Sequence, residues 1–171
     1  MQLIYPSVTY KNSFLEALKE FHAEGNEQSY DIDRIDYDFD GFLQHIEARS
    51  RGVGMPDQAV PDSLFWLVEG DDFIGRVSIR HTLNDSLKEY GGHIGYYIRP
   101  TKRGMGYGTK ALPLALVEAK KLGIPRVLVT CDDDNIPSQK IIQRAGGVLQ
   151  DVIETPLNPD KKKVMRWWID T

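Results

Sequence analysis

Thiol chemistry is nearly absent from this chain: Cys131 is its single cysteine. One cysteine cannot form an internal disulfide, which excludes a disulfide-stapled scaffold and suits a reducing compartment. At the end of a buried strand it reads as a small hydrophobe sooner than as a nucleophile. No stretch reaches the ~18 continuous apolar residues of a membrane span, and no charged-then-apolar leader opens the sequence. A cytoplasmic location without membrane attachment is therefore expected. Basic charge is also short, with 21 Lys and Arg against 25 Asp and Glu and a net charge of -4. Nucleic acids are held through their phosphates by basic surfaces, so no nucleic-acid partner is expected. The four histidines, His22, His45, His81 and His93, lack metal-ligand spacing, and no metal is expected.

What remains is enough for one core: 171 residues, 41% of them hydrophobic, predict one domain. A short strand is predicted within residues 1–8. Ser13 is a reasonable helix start, followed by Phe14, Leu15, Leu18 and Phe21 at helical spacing, with Gly25 as the stop. The acidic stretch from Glu27 to Asp40, with Tyr30, Tyr37 and Phe39 between its carboxylates, reads as a solvated loop with helix-start aspartates. Carboxylates and aromatics of this kind could also face a cationic amine. Phe42, Leu43, Ile46 and Ala48 suggest a second short helix, and residues 51–62 a loop broken by glycine and proline. Residues 63–69 and 73–81 form a predicted hairpin about Gly70-Asp71-Asp72, and a polar connection over 83–89 leads to a strand over 93–99.

From His93 to Gly147 the pattern changes to strand, helix, strand, helix. The strand Ile94-Gly95-Tyr96-Tyr97-Ile98 is stopped by Pro100 and followed by Arg103-Gly104-Met105-Gly106-Tyr107-Gly108-Thr109. A helix over about 106–122 should bury Ala111, Leu112, Ala115, Leu116, Ala119 and Leu122, with a small irregularity at Pro113. A strand over 126–130 precedes a second helix that ends at Gly146-Gly147. Residues 148–153 and 164–169 are closing strands joined by 156–163, where Lys161-Lys162-Lys163 reads as a solvated turn. Trp167 and Trp168 alternate faces, so at least one should be core. A strand that ends in a glycine-rich loop and opens a helix is a phosphate-binding device. Glycines admit close backbone approach, and the first helical N–H groups are unpaired at the positive end of the dipole. Arg103 adds a full charge at the loop mouth and Thr109 a hydroxyl.

These residues resemble a known family. Arg103-x-x-Gly106-x-Gly108 is similar to the R/Q-x-x-G-x-G/A signature of the GNAT superfamily of N-acetyltransferases. Asn135-x-x-Ser138, with Ile142, Arg144 and Gly146 beyond, follows the family's second pattern at the right distance. The likeness covers about 94–147 and points to the ribosomal-protein-type acetyltransferase branch. It implies an α/β GNAT fold: a mixed, mostly antiparallel twisted sheet of six to seven strands, a central parallel splay, and about four flanking helices. It implies acetyl-CoA as cosubstrate and acetyl transfer to a primary amine, a small molecule or a peptide, by direct attack in a ternary complex. The pyrophosphate would lie on backbone amides of Gly104, Met105, Gly106, Tyr107, Gly108 and Thr109, beside Arg103. The pantetheine arm would run along Tyr96 and Ile98 and meet Asn135.

The resemblance leaves the proton transfers open. The family's tyrosine in the second helix corresponds to Ile142, which has no proton to give. Ser138 matches a hydroxyl that could protonate the leaving sulfur, or only caps its helix. The family's glutamate base falls near Gly92. His93 beside it is a candidate base or a strand-edge histidine; Glu89, His81 and Arg80 are further candidates for the cleft wall, and water is another route for the proton. A homodimer is another expectation. Two other readings stand: a non-catalytic acyl-CoA sensor of the same fold, and an NAD(P)-binding oxidoreductase built on Gly106-x-Gly108-x-x-Ala111 with acidic Asp132 beyond.

Overall fold

The computed structural model describes residues 1–154 and 163–171. The expected connection over 156–163, with Lys161 and Lys162, lies outside the described residues apart from Lys163. In chain order the elements are β1 (Gln2–Ile4), α1 (Lys11–Ala23), α2 (Ile32–Tyr37), α3 (Phe39–Ser50), β2 (Asp62–Glu69), β3 (Asp72–Arg80), β4 (Ile94–Ile98), α4 (Tyr107–Lys121), β5 (Arg126–Asp132), α5 (Ile136–Arg144), β6 (Val148–Glu154) and β7 (Lys163–Asp170).

Two antiparallel sheets are present, β1-β2-β3-β4 and β5-β7-β6. The β2–β3 hairpin turns at Gly70, whose φ of 59° suits a tight turn, and β4 pairs with β3 from Gly75↔Ile98 to Ile79↔Ile94. The apolar residues of these strands divide between two cores. One lies among β2–β5, β7, α4 and α5, and includes Phe65, Leu67, Ile74, Leu112, Ala115, Ile142 and Trp167. The other sits under α1–α3 and collects Phe14, Leu18, Phe21, Phe39, Trp66 and Phe73. Trp167 is thus the buried tryptophan of its pair, as the alternation required.

Two local expectations need correction. α1 begins at Lys11, two residues before Ser13. Ser13 instead accepts from the Phe73 N–H at 2.9 Å and from Arg99 at 3.2 Å, which ties α1 to β3 and to the end of β4. Most of the acidic stretch is helical. Asp31 caps α2 through the Arg34 N–H at 3.0 Å, and Asp38 caps α3 through the Gly41 N–H at 2.9 Å. The helix-start aspartates were legible; the short helix between them was not. α4 continues through Pro113 as one helix.

Candidate active site

The site exists because β4 and β5 touch at one end only. The His93 N–H donates to the Leu128 carbonyl at 2.7 Å, and the Leu128 N–H donates to His93 Nδ1 at 2.9 Å. Gly92 makes the approach feasible. Its φ is 61°, and a Cβ there would stand 2.5 Å from the Leu128 carbonyl oxygen. Past this clamp β4 has no partner strand on its β5 side, and the gap is a cleft of about 880 Å³. The central parallel splay expected from the resemblance is present, and the two strands are held at a single point of attachment. The Arg99 N–H reaches the Ile74 carbonyl at 2.8 Å, so Arg99 presents its backbone to β3. By strand alternation Ile98 and Tyr96 present theirs to the cleft.

At the mouth of this cleft the chain turns through Arg103–Gly106 into α4. Gly104 and Gly106 have φ of 76° and 80°, and Gly106 is the helix N-cap. The requirement there is conformational, since nothing lies within 4 Å of a Cβ at either position. The unpaired N–H groups of the first turn are those of Tyr107, Gly108 and Thr109. This arrangement can accept a pyrophosphate. Arg103 is less available than its position suggests: Nη1 meets Glu24 at 2.8 Å and Nε donates to the Ile98 carbonyl at 3.1 Å. Its charge is already balanced from α1.

Deeper in, the Tyr96 hydroxyl donates to Ser138 Oγ at 3.3 Å. Ser138 begins α5, where its N–H donates to Asn135 Oδ1 at 3.1 Å. Burial pushes the Tyr96 phenol above its usual value, with the Ser138 contact partly offsetting this, so the phenol stays protonated near neutrality. Because Ser138 Oγ accepts from Tyr96, its own hydroxyl proton is free to be donated.

A second pocket of about 820 Å³ lies under α2 and α3. It shares Arg76, Ser78 and Arg80 of β3 with the first cleft. Arg76 pairs with Glu27 through two contacts of 2.6 Å and lies 4.8 Å from the Tyr97 ring centroid and 5.9 Å from that of Tyr30. Glu27 reaches it from a left-handed backbone, φ 56°, unusual for a residue with a side chain. Arg49 pairs with Asp62 at 2.6 Å. The wall expected to be acidic is thus lined by arginines as well, with Asp31 and Asp38 engaged as helix caps.

Of the residues singled out from sequence, Tyr96, Ile98, Arg103, Gly104, Gly106, Tyr107, Gly108, Thr109, Asn135 and Ser138 all line the first cleft. Met105 and His93 do not. Met105 is 61% exposed at the loop tip. The Tyr107 hydroxyl donates to Glu69 at 2.6 Å, leaving its backbone as the part free to serve a ligand. Arg80 lines both pockets, whereas His81 is hydrogen-bonded to Ser63 at 2.9 Å and, like Glu89, lines neither. Sequence reasoning missed Arg76 and Ser78. Their signal was the period-two run Arg76-Val77-Ser78-Ile79-Arg80, which reads as a strand with one solvated face; here that face is the cleft wall. Cys131 packs in the core, with burial pushing its thiol up to about 11.

A strand splayed from its neighbour, a glycine turn into a helix N-terminus, and an adjoining pocket define an acyl-CoA-dependent transferase site. The chain belongs to the acetyltransferase (GNAT) domain family, which it matches over residues 16–148, and it is an acetyl-CoA-dependent N-acetyltransferase. The glycines of Gly106-x-Gly108-x-x-Ala111 therefore belong to this family's loop and not to a nicotinamide site. No curated protein matches the chain in sequence. Among solved structures it is similar to the Microcin C7 self-immunity acetyltransferase MccE in complex with acetyl-CoA and AMP. That match has a TM-score of 0.70 at 18% identity, covering 99% of this chain and 91% of the other. An acetyltransferase from Salmonella typhimurium that modifies the N-terminal serine of a 50S ribosomal subunit protein matches with a TM-score of 0.67 at 16% identity, covering 99% and 94%. A spermidine N-acetyltransferase chimera built in part from the Vibrio cholerae enzyme matches at 0.67 and 14% identity, covering 99% and 96%. At these identities the shared property is the fold.

Proposed function

We propose that this protein transfers the acetyl group of acetyl-CoA to a primary amine held in the pocket under α2 and α3, by direct attack across the Arg76–Ser78–Arg80 face. The observation that carries this reading is the continuity of the two pockets at those three residues. Acetyl-CoA supplies an activated thioester carbonyl and a thiol leaving group. The loop amides from Gly104 to Thr109 would hold its pyrophosphate. The cleft-facing backbone of Tyr96 and the Ile98 N–H would hold its arm as an added strand, the Ile98 carbonyl being taken by Arg103, and Asn135 would donate through its amide nitrogen. In the reaction the amine nitrogen bonds to the acetyl carbon and the carbon–sulfur bond breaks. The sulfur takes the Ser138 hydroxyl proton, Ser138 takes the Tyr96 proton in turn, and water carries the proton shed by the new amide nitrogen back to the Tyr96 phenolate. A phenol from β4 thus fills the role left vacant by Ile142, which is buried in the core.

No His or carboxylate stands among the three residues of the shared face, although Asp31, Asp38, His45 and Asp62 line the pocket beyond it. Arg76 is balanced by Glu27, so the Arg80 charge is what disfavours a second cation there and favours the neutral, nucleophilic amine, with the proton leaving to water. We assign His93 a positioning role. Its Nδ1 lone pair is occupied by the Leu128 N–H, and its ring faces neither pocket.

The test is thiol release from acetyl-CoA over a panel of primary amines. Ser138→Ala and Tyr96→Phe should each lower kcat by roughly 10- to 100-fold. The double variant should be no worse than the weaker single, since the two act as one relay. Acetyl-CoA affinity should remain in both. Equal kcat in wild type and variants would remove the relay. Acetyl-CoA binding without turnover of any amine would favour a sensor of the same fold.

A further inference from the structure

Arg80 is the one arginine of the shared face without a carboxylate partner among the described residues; Arg76 has Glu27. Its Nη1 donates to the Gly91 carbonyl at 2.8 Å and to the Gly92 carbonyl at 3.1 Å. Those two bonds fix the guanidinium and use both Nη1 protons. Nε and Nη2 remain, the parallel pair of donors that takes a carboxylate in a two-point contact. The residue is half-buried, at the end of β3, and lines both pockets. Burial disfavours the charged form of Arg80, Asp62 opposite it in the β2–β3 register favours that form, and Arg76 disfavours it; Asp62 itself is spent on Arg49 at 2.6 Å. With Nη1 clamped by two carbonyls, the Nε and Nη2 edge is preset to take a carboxylate brought by a ligand.

We propose that the acceptor is an amino-carboxylate: a primary amine whose own molecule carries a carboxylate that docks on Nε and Nη2 of Arg80. This rests on the transferase reading above and narrows it. Simple cationic polyamines lack the carboxylate and would leave Nε and Nη2 of Arg80 unmatched, so they are poor acceptors here. Both an α-carboxylate and a side-chain carboxylate have the required chemistry.

The experiment uses matched pairs that differ only in that charge. Free α-amino acids are compared with their α-amides, and dipeptide amides with Glu second are compared with those with Gln second. Binding is read by calorimetry with CoA present, and turnover by thiol release with acetyl-CoA. The proposal expects the acid of at least one series to bind roughly tenfold more tightly than its amide and to show a correspondingly lower KM. The responding series identifies which carboxylate is used. Arg80→Gln should abolish the difference by weakening the acid alone, and Arg80→Lys should restore part of it. Wild-type protein that binds acid and amide alike in both series overturns the proposal, as does an undiminished preference in Arg80→Gln. The wild-type comparison stands even if that variant misfolds. The transferase reading fails separately, by loss of acetyl-CoA binding or of all thiol release.

Discussion

The residues that decide the chemistry differ in how visibly the sequence announces them. Gly104, Gly106, Asn135 and Ser138 are legible because a backbone with positive φ, or a cap at a helix start, tolerates few residue types. Tyr96 is legible only as a residue on the right face. Its contact with Ser138 joins positions 42 apart, and no local spacing encodes that. Glu27 was visible as one carboxylate of an acidic run, but its partner lies 49 positions away on β3. Its side chain is buried, 6% exposed, against an Arg76 that is 17% exposed. Glu27→Gln would leave a buried guanidinium uncompensated, which costs ~3–5 kcal/mol. Denaturant unfolding should show that loss, and the Arg76→Met, Glu27→Gln double variant should recover part of it. A Glu27→Gln protein of unchanged stability would contradict the pair's role.

Among the elements, the β4–β5 contact governs whether a cleft forms. Strand, loop and helix were each readable from alternation, glycines and helical spacing, and the crossover followed from their order. That the two strands meet at one residue was not readable, because it depends on Gly92 approaching Leu128 in space. The contact carries its own pH signature. Burial first, and the Arg80 charge second, hold the His93 imidazole below its ordinary value of 6.5, so it is neutral in the folded protein. The unfolded chain takes up that proton near 6.5. Stability from this group is therefore complete above that pH and is lost as pH falls from there through the lowered folded value. Tm measured against pH should drop across that window in wild type. In His93→Asn, whose Oδ1 can replace Nδ1 as acceptor without titrating, the drop should flatten. Parallel curves for the two proteins would contradict the clamp.

For the whole molecule, the described residues build two cores about a splayed sheet, and the proposed acyl-donor and acceptor pockets meet along Arg76, Ser78 and Arg80 of β3. Composition bounded this coarsely, through one cysteine and a mildly acidic balance. No helix among the described residues is long and apolar enough to cross a membrane. The acidic balance suggested a cationic acceptor, but net charge says nothing of the pocket, where helix caps engage aspartates and arginines keep their place on the wall. A ligand that binds only the folded chain stabilises it by ~2.7 kcal/mol at a hundred times its Kd, which at this size is about 5–10 °C in Tm.

The measurement that bears most directly on the account is a calorimetric titration of acetyl-CoA into wild type and Gly106→Asp. Position 106 has open space around a Cβ but a left-handed φ of 80° at the helix N-terminus. The variant should stay folded while placing a carboxylate where phosphates belong. Wild type should bind saturably and one-to-one, and the variant at least about 100-fold more weakly, a difference of ~2.7 kcal/mol. Equal affinities, or no acetyl-CoA binding to the wild-type protein, would contradict it.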